Sequence, residues 1–131
     1  MIDIFTADDV VSRYTRAEAI DDGVLVDVST QARAVGLRYP VAMTAAAFDR
    51  CVTWSANDAR RHGEQSEIIR LARVLTALRH AARRASGDRI DFDILAACKV
   101  RGVSEKVDLI AECGPGDLME PVITIMLPGE D

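Results

Sequence analysis

A stretch of twenty residues in the middle of the chain carries apolar side chains at spacings of three and four. Residues 66–85 read SEIIRLARVLTALRHAARRA, and this spacing predicts an amphipathic helix, because residues three and four apart share one helix face. The predicted buried face comprises Ile68, Leu71, Ala72, Leu75, Leu78 and Ala82. The opposite face is predicted to present basic side chains to solvent, namely Arg70, Arg73, His80 and Arg84.

Three β-strands are predicted after this helix. Segments 89–100 and 106–113 alternate apolar with charged residues, which is typical of strands in an antiparallel sheet with one face toward solvent. The last segment, 121–127, is apolar on both faces except at Thr124, which indicates a central strand or one covered on both sides. Residues 101–106 are predicted to form a turn.

Shorter elements are predicted before the long helix. In chain order they are a helix over about 15–21, a strand over 24–28, a helix over 30–35, an extended segment over 37–44 and a helix over 45–54. Thr15 starts a capping-box pattern, Ser29 or Thr30 is predicted to cap the second helix, and Thr44 the third. Residues 55–65 are predicted to be a polar loop, part of which can form a helical turn.

These elements predict a single α+β domain over residues 1–131. Short N-terminal helices and a strand come first, the long helix follows, and an antiparallel sheet of three to four strands ends the chain. Residues 1–12, in which acids interrupt apolar pairs, are predicted to form a loosely ordered arm.

The composition excludes several classes of protein. Hydrophobic residues make up 49% and charged residues 28%, the balance of a globular protein, and the longest apolar runs are too short to cross a bilayer. The start, MIDIFTADDVV, has acids where a signal peptide has basic residues. The three cysteines lack a CxxC spacing, which argues against both a disulfide framework and a zinc site. A cytoplasmic location without a membrane partner is therefore predicted.

The net charge of −5 is unevenly distributed along the chain. Between Asp58 and Arg84 there are seven arginines against three acids, whereas the rest of the chain has nine basic residues against eighteen acids. Arginines on one helix face can bind phosphates or carboxylates. The alternative is an ordinary solvated face, since a nucleic-acid binder is usually basic overall.

The glycine-rich segment 114–117, GPGD, is predicted to be a turn. A phosphate-binding loop needs a helix N-terminus that follows it, because the first N–H groups of a helix bind the anion. Here a strand follows instead, and Gly114, Pro115 and Gly116 are typical turn residues.

Four carboxylates are predicted to share the solvent face of neighbouring strands: Asp91, Asp93, Asp108 and Glu112. Residues two apart on a strand point to the same side, so these acids predict a negative patch that could imitate a row of phosphates. They could also share a proton or hold a cation in a small enzyme or ligand-binding site. The ordinary alternative is the wet face of an antiparallel sheet.

No catalytic residue, metal site or cofactor is predicted. The serines lack a GxSxG setting, and His62 and His80 are predicted to be isolated histidines. Charge separation without a convergent catalytic set favours a binding protein.

Several segments, YTRAEAIDDGVLVDVS, RYPVAMT, GPGD and EPVITIMLPGED, resemble those of a small bacterial family of unknown function found on plasmids, phages and integrated mobile elements. The resemblance covers the first half and the end of the chain well, and the arginine-rich helix poorly. It implies an accessory role, such as blocking a host defence system, and it implies no site residue.

The function expected from these observations is non-catalytic binding, through a charged surface, to a protein or nucleoprotein target. Two alternatives remain at this point. One is a nucleic-acid binder that uses Arg70, Arg73 and Arg84, and the other is a small enzyme or ligand-binding domain on the acidic sheet face. The charge pattern does not distinguish a monomer from an oligomer.

Overall fold

The structure, a computed structural model, describes residues 14–130. The arm predicted over residues 1–12 lies outside the described residues. The elements are, in chain order, α1 (Arg16–Asp21), β1 (Leu25–Asp27), α2 (Ser29–Ala34), β2 (Val41–Thr44), α3 (Ala45–Cys51), α4 (Ala56–His62), α5 (Glu67–Ala82), β3 (Arg89–Ala97), β4 (Ser104–Pro115) and β5 (Pro121–Met126). The predicted α+β class, with a long helix before the C-terminal strands, is confirmed.

One five-stranded sheet, in the order β1-β2-β5-β4-β3, forms the centre of the fold. The last three strands are antiparallel neighbours, as predicted. β2 extends this part by pairing in parallel with β5, with Val41 opposite Ile123, and β1 then pairs antiparallel with β2. β5 is therefore the central strand, which explains why its residues are apolar on both faces.

Helices α2, α3 and α5 cover one face of the sheet, here called the core face. Leu75 and Leu78 of α5 are fully buried and belong to one cluster with Leu109 and Ile125 of the sheet. Truncating either leucine to alanine would cost about 2–5 kcal/mol, because a cavity would remain. The opposite side of the sheet, here called the outer face, carries Asp91, Asp93 and Asp108, since strand side chains alternate between the two faces.

Local capping signals fix several of the helix starts. The Thr15 capping box is present, with the Thr15 hydroxyl accepting from the N–H of Glu18, and Thr44 caps α3 in the same way through the N–H of Ala47. The predicted cap of α2 is wrong, because that helix begins at Ser29 itself. The Ser29 hydroxyl instead donates to the Asp27 carboxylate over 2.6 Å.

Several boundaries differ from the sequence prediction, two of them in polar segments. Residues 55–65 contain the helix α4, whose N-terminus is capped by Ser55 with Asp58 in a reciprocal capping box. The predicted turn over 101–106 is shorter, because β4 begins at Ser104. Both segments are rich in polar residues, so their few apolar residues show little helix or strand periodicity.

The predicted turn is present but begins later than expected, because Gly114 and Pro115 are the last residues of β4. β4 ends at Pro115, and the N–H of Gly116 donates to the carbonyl of Glu120 over 2.6 Å. The Asp117 carboxylate accepts hydrogen bonds from the backbone N–H groups of Arg16 and Ala17, over 2.8 and 3.0 Å. This turn therefore holds the start of α1 against the end of the sheet.

Candidate functional site

Three of the four predicted carboxylates come together on the outer face. The register places Asp93 of β3 directly opposite Asp108 of β4, and Asp91 opposite Ile110. With Ile110 as an apolar element and Pro128 at one side, these carboxylates line a shallow depression of about 310 Å³. We call it the acidic depression, after Asp91, Asp93 and Asp108, although Arg89 also lines it.

Two neighbouring cations only partly balance the negative charge of the acidic depression. Arg89 lies 3.5 Å from Asp91, and Lys106 lies 3.5 Å from Asp108. The side chains of Asp91 and Asp108 are 77% and 66% exposed, so both pairs are weak surface ion pairs. Within residues 14–130, Asp93 forms no ion pair, and its nearest cross-strand neighbour is another carboxylate. Like charges directly opposite each other are unfavourable in a sheet.

Glu112 lies apart from the other three acids. It shares the outer face with Asp108, but its cross-strand neighbours are Arg89 on β3 and Thr124 on β5. It is partly buried and does not line the acidic depression. The structure therefore gives Glu112 a different environment from the predicted row of carboxylates.

The expected position of Arg70 on the solvent face of the long helix is wrong. Arg70 is only 2% exposed. Its Nε donates to the Val52 carbonyl over 2.9 Å, and its guanidinium lies 4.7 Å from the centre of the Trp54 ring. Conversely, Ile68 was predicted to be buried and is 77% exposed. The buried side of α5 is rotated toward Arg70 relative to the prediction, because Val74 belongs to it.

The Arg70 guanidinium is an unusual group to bury. Loss of hydration lowers its pKa from the ordinary value, and within the described part of the chain its Nη2 has no hydrogen-bond partner. The Val52 carbonyl and the Trp54 ring offset part of this cost, since both attract a cation. Arg70 lies too deep to contact a partner on the surface.

Exposed basic residues on α5 and directly after it form a second candidate surface. Arg73, His80 and Arg84 lie at the surface as predicted, and Arg83 lies among them. We call these four residues the basic helix face. Arg83 was missed because the predicted face was placed around Arg70, yet its spacing of three from His80 indicates the same side of the helix. Within residues 14–130, none of the three arginines forms an ion pair.

The two charged surfaces lie on opposite sides of the sheet. α5 packs on the core face through Leu75 and Leu78, so its exposed side points away from the sheet. The acidic depression lies on the outer face. The uneven charge of the sequence is therefore also a separation of charge in space.

The histidines and the buried thiol do not form a catalytic group with the acids. The Nε2 of His62 lies 2.6 Å from the Lys99 carbonyl, and its ring packs beside Trp54. Burial raises the pKa of Cys51 to about 11, which keeps the thiol protonated at neutral pH. Neither His62 nor His80 lines the acidic depression. Among the described residues, no three His, Cys, Asp or Glu side chains are grouped closely enough to hold a metal ion.

Comparison with known proteins gives a family. The model of a family of unknown function, DUF6573, matches residues 1–131. The chain belongs to the DUF6573 family. This confirms the resemblance to a family of unknown function, and the DUF6573 match assigns no role to any residue. No curated protein and no solved structure matches the chain. Between residues 14 and 130, no helix has both the length and the apolar character needed to cross a membrane.

Proposed function

We propose that this member of the DUF6573 family is a non-catalytic binding protein that contacts a protein or nucleoprotein target through its charged surfaces. The observation that carries the proposal is the location of the acidic depression and the basic helix face on opposite sides of one sheet. Separated charge of this kind steers a partner of complementary charge and excludes others.

The acidic depression is the surface better suited to a protein target. Its carboxylates are open to solvent, and the depression is shallow. Catalytic sites usually exclude water around the reacting groups, whereas an open, charged surface suits the side chains of a partner protein. Lysine or arginine side chains of a target would replace the weak pairs that Arg89 and Lys106 make.

The resemblance noted in the sequence supports a further part of the proposal. We infer that the protein is carried by plasmids, phages or integrated elements and that its target belongs to a host defence system. A surface that imitates nucleic-acid phosphates can compete for a basic groove of a defence protein. The acidic depression would be the part that competes.

A second candidate function is nucleic-acid binding through the basic helix face. It is favoured by the observation that Arg73, Arg83 and Arg84 are exposed and form no ion pair within residues 14–130. Arg70, which is buried, has no part in it. Binding to duplex DNA should then weaken steeply with salt, because each phosphate contact releases counterions.

Charge-reversal variants test the proposal. One variant carries Asp91→Lys, Asp93→Lys and Asp108→Lys. A second carries Arg73→Glu, Arg83→Glu and Arg84→Glu. A control with charge reversal elsewhere carries Asp21→Lys and Glu64→Lys, two exposed acids that do not line the acidic depression. Each is used to capture partners from host lysate, with quantitative mass spectrometry of the bound proteins.

The proposal expects the first variant to lose partners that the wild type and the control retain. Identical partner sets for the wild type and both surface variants would overturn it. A mobility-shift titration with duplex DNA examines the second candidate. Salt-dependent binding that only the arginine variant loses would favour nucleic acid over protein as the target.

A further inference from the structure

β3 is an edge strand of the sheet. Within residues 14–130 its only paired neighbour is β4, and it is nine residues long. An open edge strand presents unpaired N–H and C=O groups that can hydrogen-bond to another strand.

The hydrogen-bond pattern shows which backbone groups face outward. Beyond the two ends of the β3–β4 ladder, the N–H of Cys113 donates to the Asp88 carbonyl and the N–H of Cys98 donates to the Val103 carbonyl, both over 2.8 Å. Hydrogen-bonded and non-hydrogen-bonded pairs alternate in an antiparallel ladder. The even-numbered residues of β3 therefore bond to β4, and residues 91, 93 and 95 direct their N–H and C=O groups away from the sheet.

The same three residues place their side chains on the outer face. Asp91 and Asp93 line the acidic depression, and Leu95, one step further along, is 66% exposed. The open edge thus has both free backbone groups and a side-chain pattern, with two acids followed by one apolar residue.

A second copy of this chain fits the acidic part of the edge poorly. Two β3 strands related by a twofold axis perpendicular to the sheet would pair antiparallel. A register centred on Asp91 or Asp93 places that carboxylate opposite its own copy, and one centred on Phe92 places Asp91 opposite Asp93. Like charges directly opposite are destabilising, so in these registers the acidic part of the edge favours a basic partner over a second copy.

We propose that an extended segment of another protein adds to β3 as an antiparallel sixth strand. Its residues opposite Asp91 and Asp93 are lysine or arginine, and the residue opposite Leu95 is apolar. The basic side chain opposite Asp93 also reaches the Asp108 carboxylate across the acidic depression. Main-chain bonds supply affinity in such strand addition, and alternate side chains supply selectivity. This inference rests on the proposed function and specifies its target as a basic, extended segment.

The test uses the peptide TVTKTKT, titrated into isotope-labelled full-length protein and followed by NMR. In the proposed register its valine faces Leu95 and its two lysines face Asp93 and Asp91. Two control peptides separate charge from strand pairing: TVTETET reverses the charge, and a TVTKTKT peptide N-methylated at valine and both lysines keeps the charge but lacks the bonding N–H groups.

The expected result is a set of amide shifts at Asp91, Asp93 and Leu95 with TVTKTKT. TVTETET should bind at least about tenfold more weakly, and each methylation should weaken binding by about fivefold. Leu95→Pro should also reduce binding without unfolding the protein, because the N–H of residue 95 points away from β4.

The outcomes distinguish this inference from the proposed function. Equal affinity for the parent and the N-methylated peptide would overturn strand addition and leave charged contact intact. Equal affinity for TVTKTKT and TVTETET would overturn both. Absence of any shift at millimolar peptide would overturn strand addition, and so would concentration-dependent shifts of residues 91–95 without peptide, which would assign the edge to a second copy.

Discussion

Replacing Asp93 by asparagine should stabilise the protein, although it removes a residue of the proposed binding surface. Asp93 and Asp108 are directly opposite each other on adjacent strands. They form a non-hydrogen-bonded pair, whose side chains are the closer of the two kinds in an antiparallel ladder. Two unit charges about 5 Å apart in a water-like medium repel by about 0.8 kcal/mol. Lys106, 3.5 Å from Asp108, offsets part of this repulsion. The expected gain from Asp93→Asn is therefore about 0.2–1 kcal/mol.

Thermal unfolding at low and at high salt measures this effect. A gain of this size should raise the melting temperature by about 1–3 °C for a domain of this length. The gain should nearly vanish in about 1 M salt, where charges are screened beyond about 3 Å.

Asp91→Asn is the matched control for this measurement. Asp91 is opposite Ile110 rather than an acid and pairs with Arg89, so its replacement should leave the stability unchanged or slightly reduced. The reasoning is refuted if Asp93→Asn lowers the melting temperature, or if its stabilisation is the same at both salt concentrations.

Three further substitutions test other parts of the structure. Arg70→Met should leave the free energy of unfolding within about 1 kcal/mol of the wild type. The substitution removes the favourable contacts of the guanidinium and, together with them, the cost of burying its charge. A loss above about 3 kcal/mol in urea titration would contradict this. Tyr14 donates a hydrogen bond to the Asp22 carboxylate, which raises its pKa to about 12 from 10.0. That bond favours the folded state below pH 10 and is lost as the pH rises toward 12, so an absorbance titration should show a late tyrosinate that Tyr14→Phe lacks. Gly102→Ala should destabilise by about 1–3 kcal/mol, measured by chemical denaturation, because φ is +74° and a Cβ would collide with the His62 ring; unchanged stability would show that the loop shifts freely.

The elements that sequence analysis predicted well are those with signals close together in the chain. The Thr15 capping box and the Thr44 cap need only residues three apart, and both are present. The alternation in β3 and β4 likewise specifies which side chains share a face, so Asp91 and Asp93 point to the same side as expected. Local geometry is sufficient for these predictions.

Contacts between distant segments could not be predicted in this way. The parallel pairing of β2 with β5 joins strands separated by most of the helices and two further strands. The neighbours of each acid depend on the β3–β4 register, which the tight loop with Gly102 sets through the Cys98–Val103 bond. A register shifted by two residues would place a different residue opposite Asp93. This is why Glu112 lies beside Arg89 rather than in the acidic depression.

The misplacement of Arg70 has a specific physical cause. At 100° per residue, the buried apolar residues of α5, namely Leu71, Val74, Leu75 and Leu78, are centred about 40° away from the centre of the predicted set. This rotation brings residue 70 inside. An arginine is tolerated there because its guanidinium bonds to the Val52 carbonyl and stacks on Trp54. Both partners precede α5 in the chain, and no periodic pattern within the helix predicts them.

The acids of the outer face have an alternative explanation that the structure argues against. Charged side chains on an edge strand often prevent unwanted strand pairing, and Asp91 and Asp93 could serve this purpose alone. Asp108, however, lies on β4, which has a partner strand on both sides, so its charge does not protect an edge. Its position opposite Asp93 should make the sheet less stable, yet it adds a second carboxylate to the place where a basic side chain is proposed to bind. A group that is unfavourable for the isolated fold and favourable for a cationic partner supports the proposed binding role over edge protection alone.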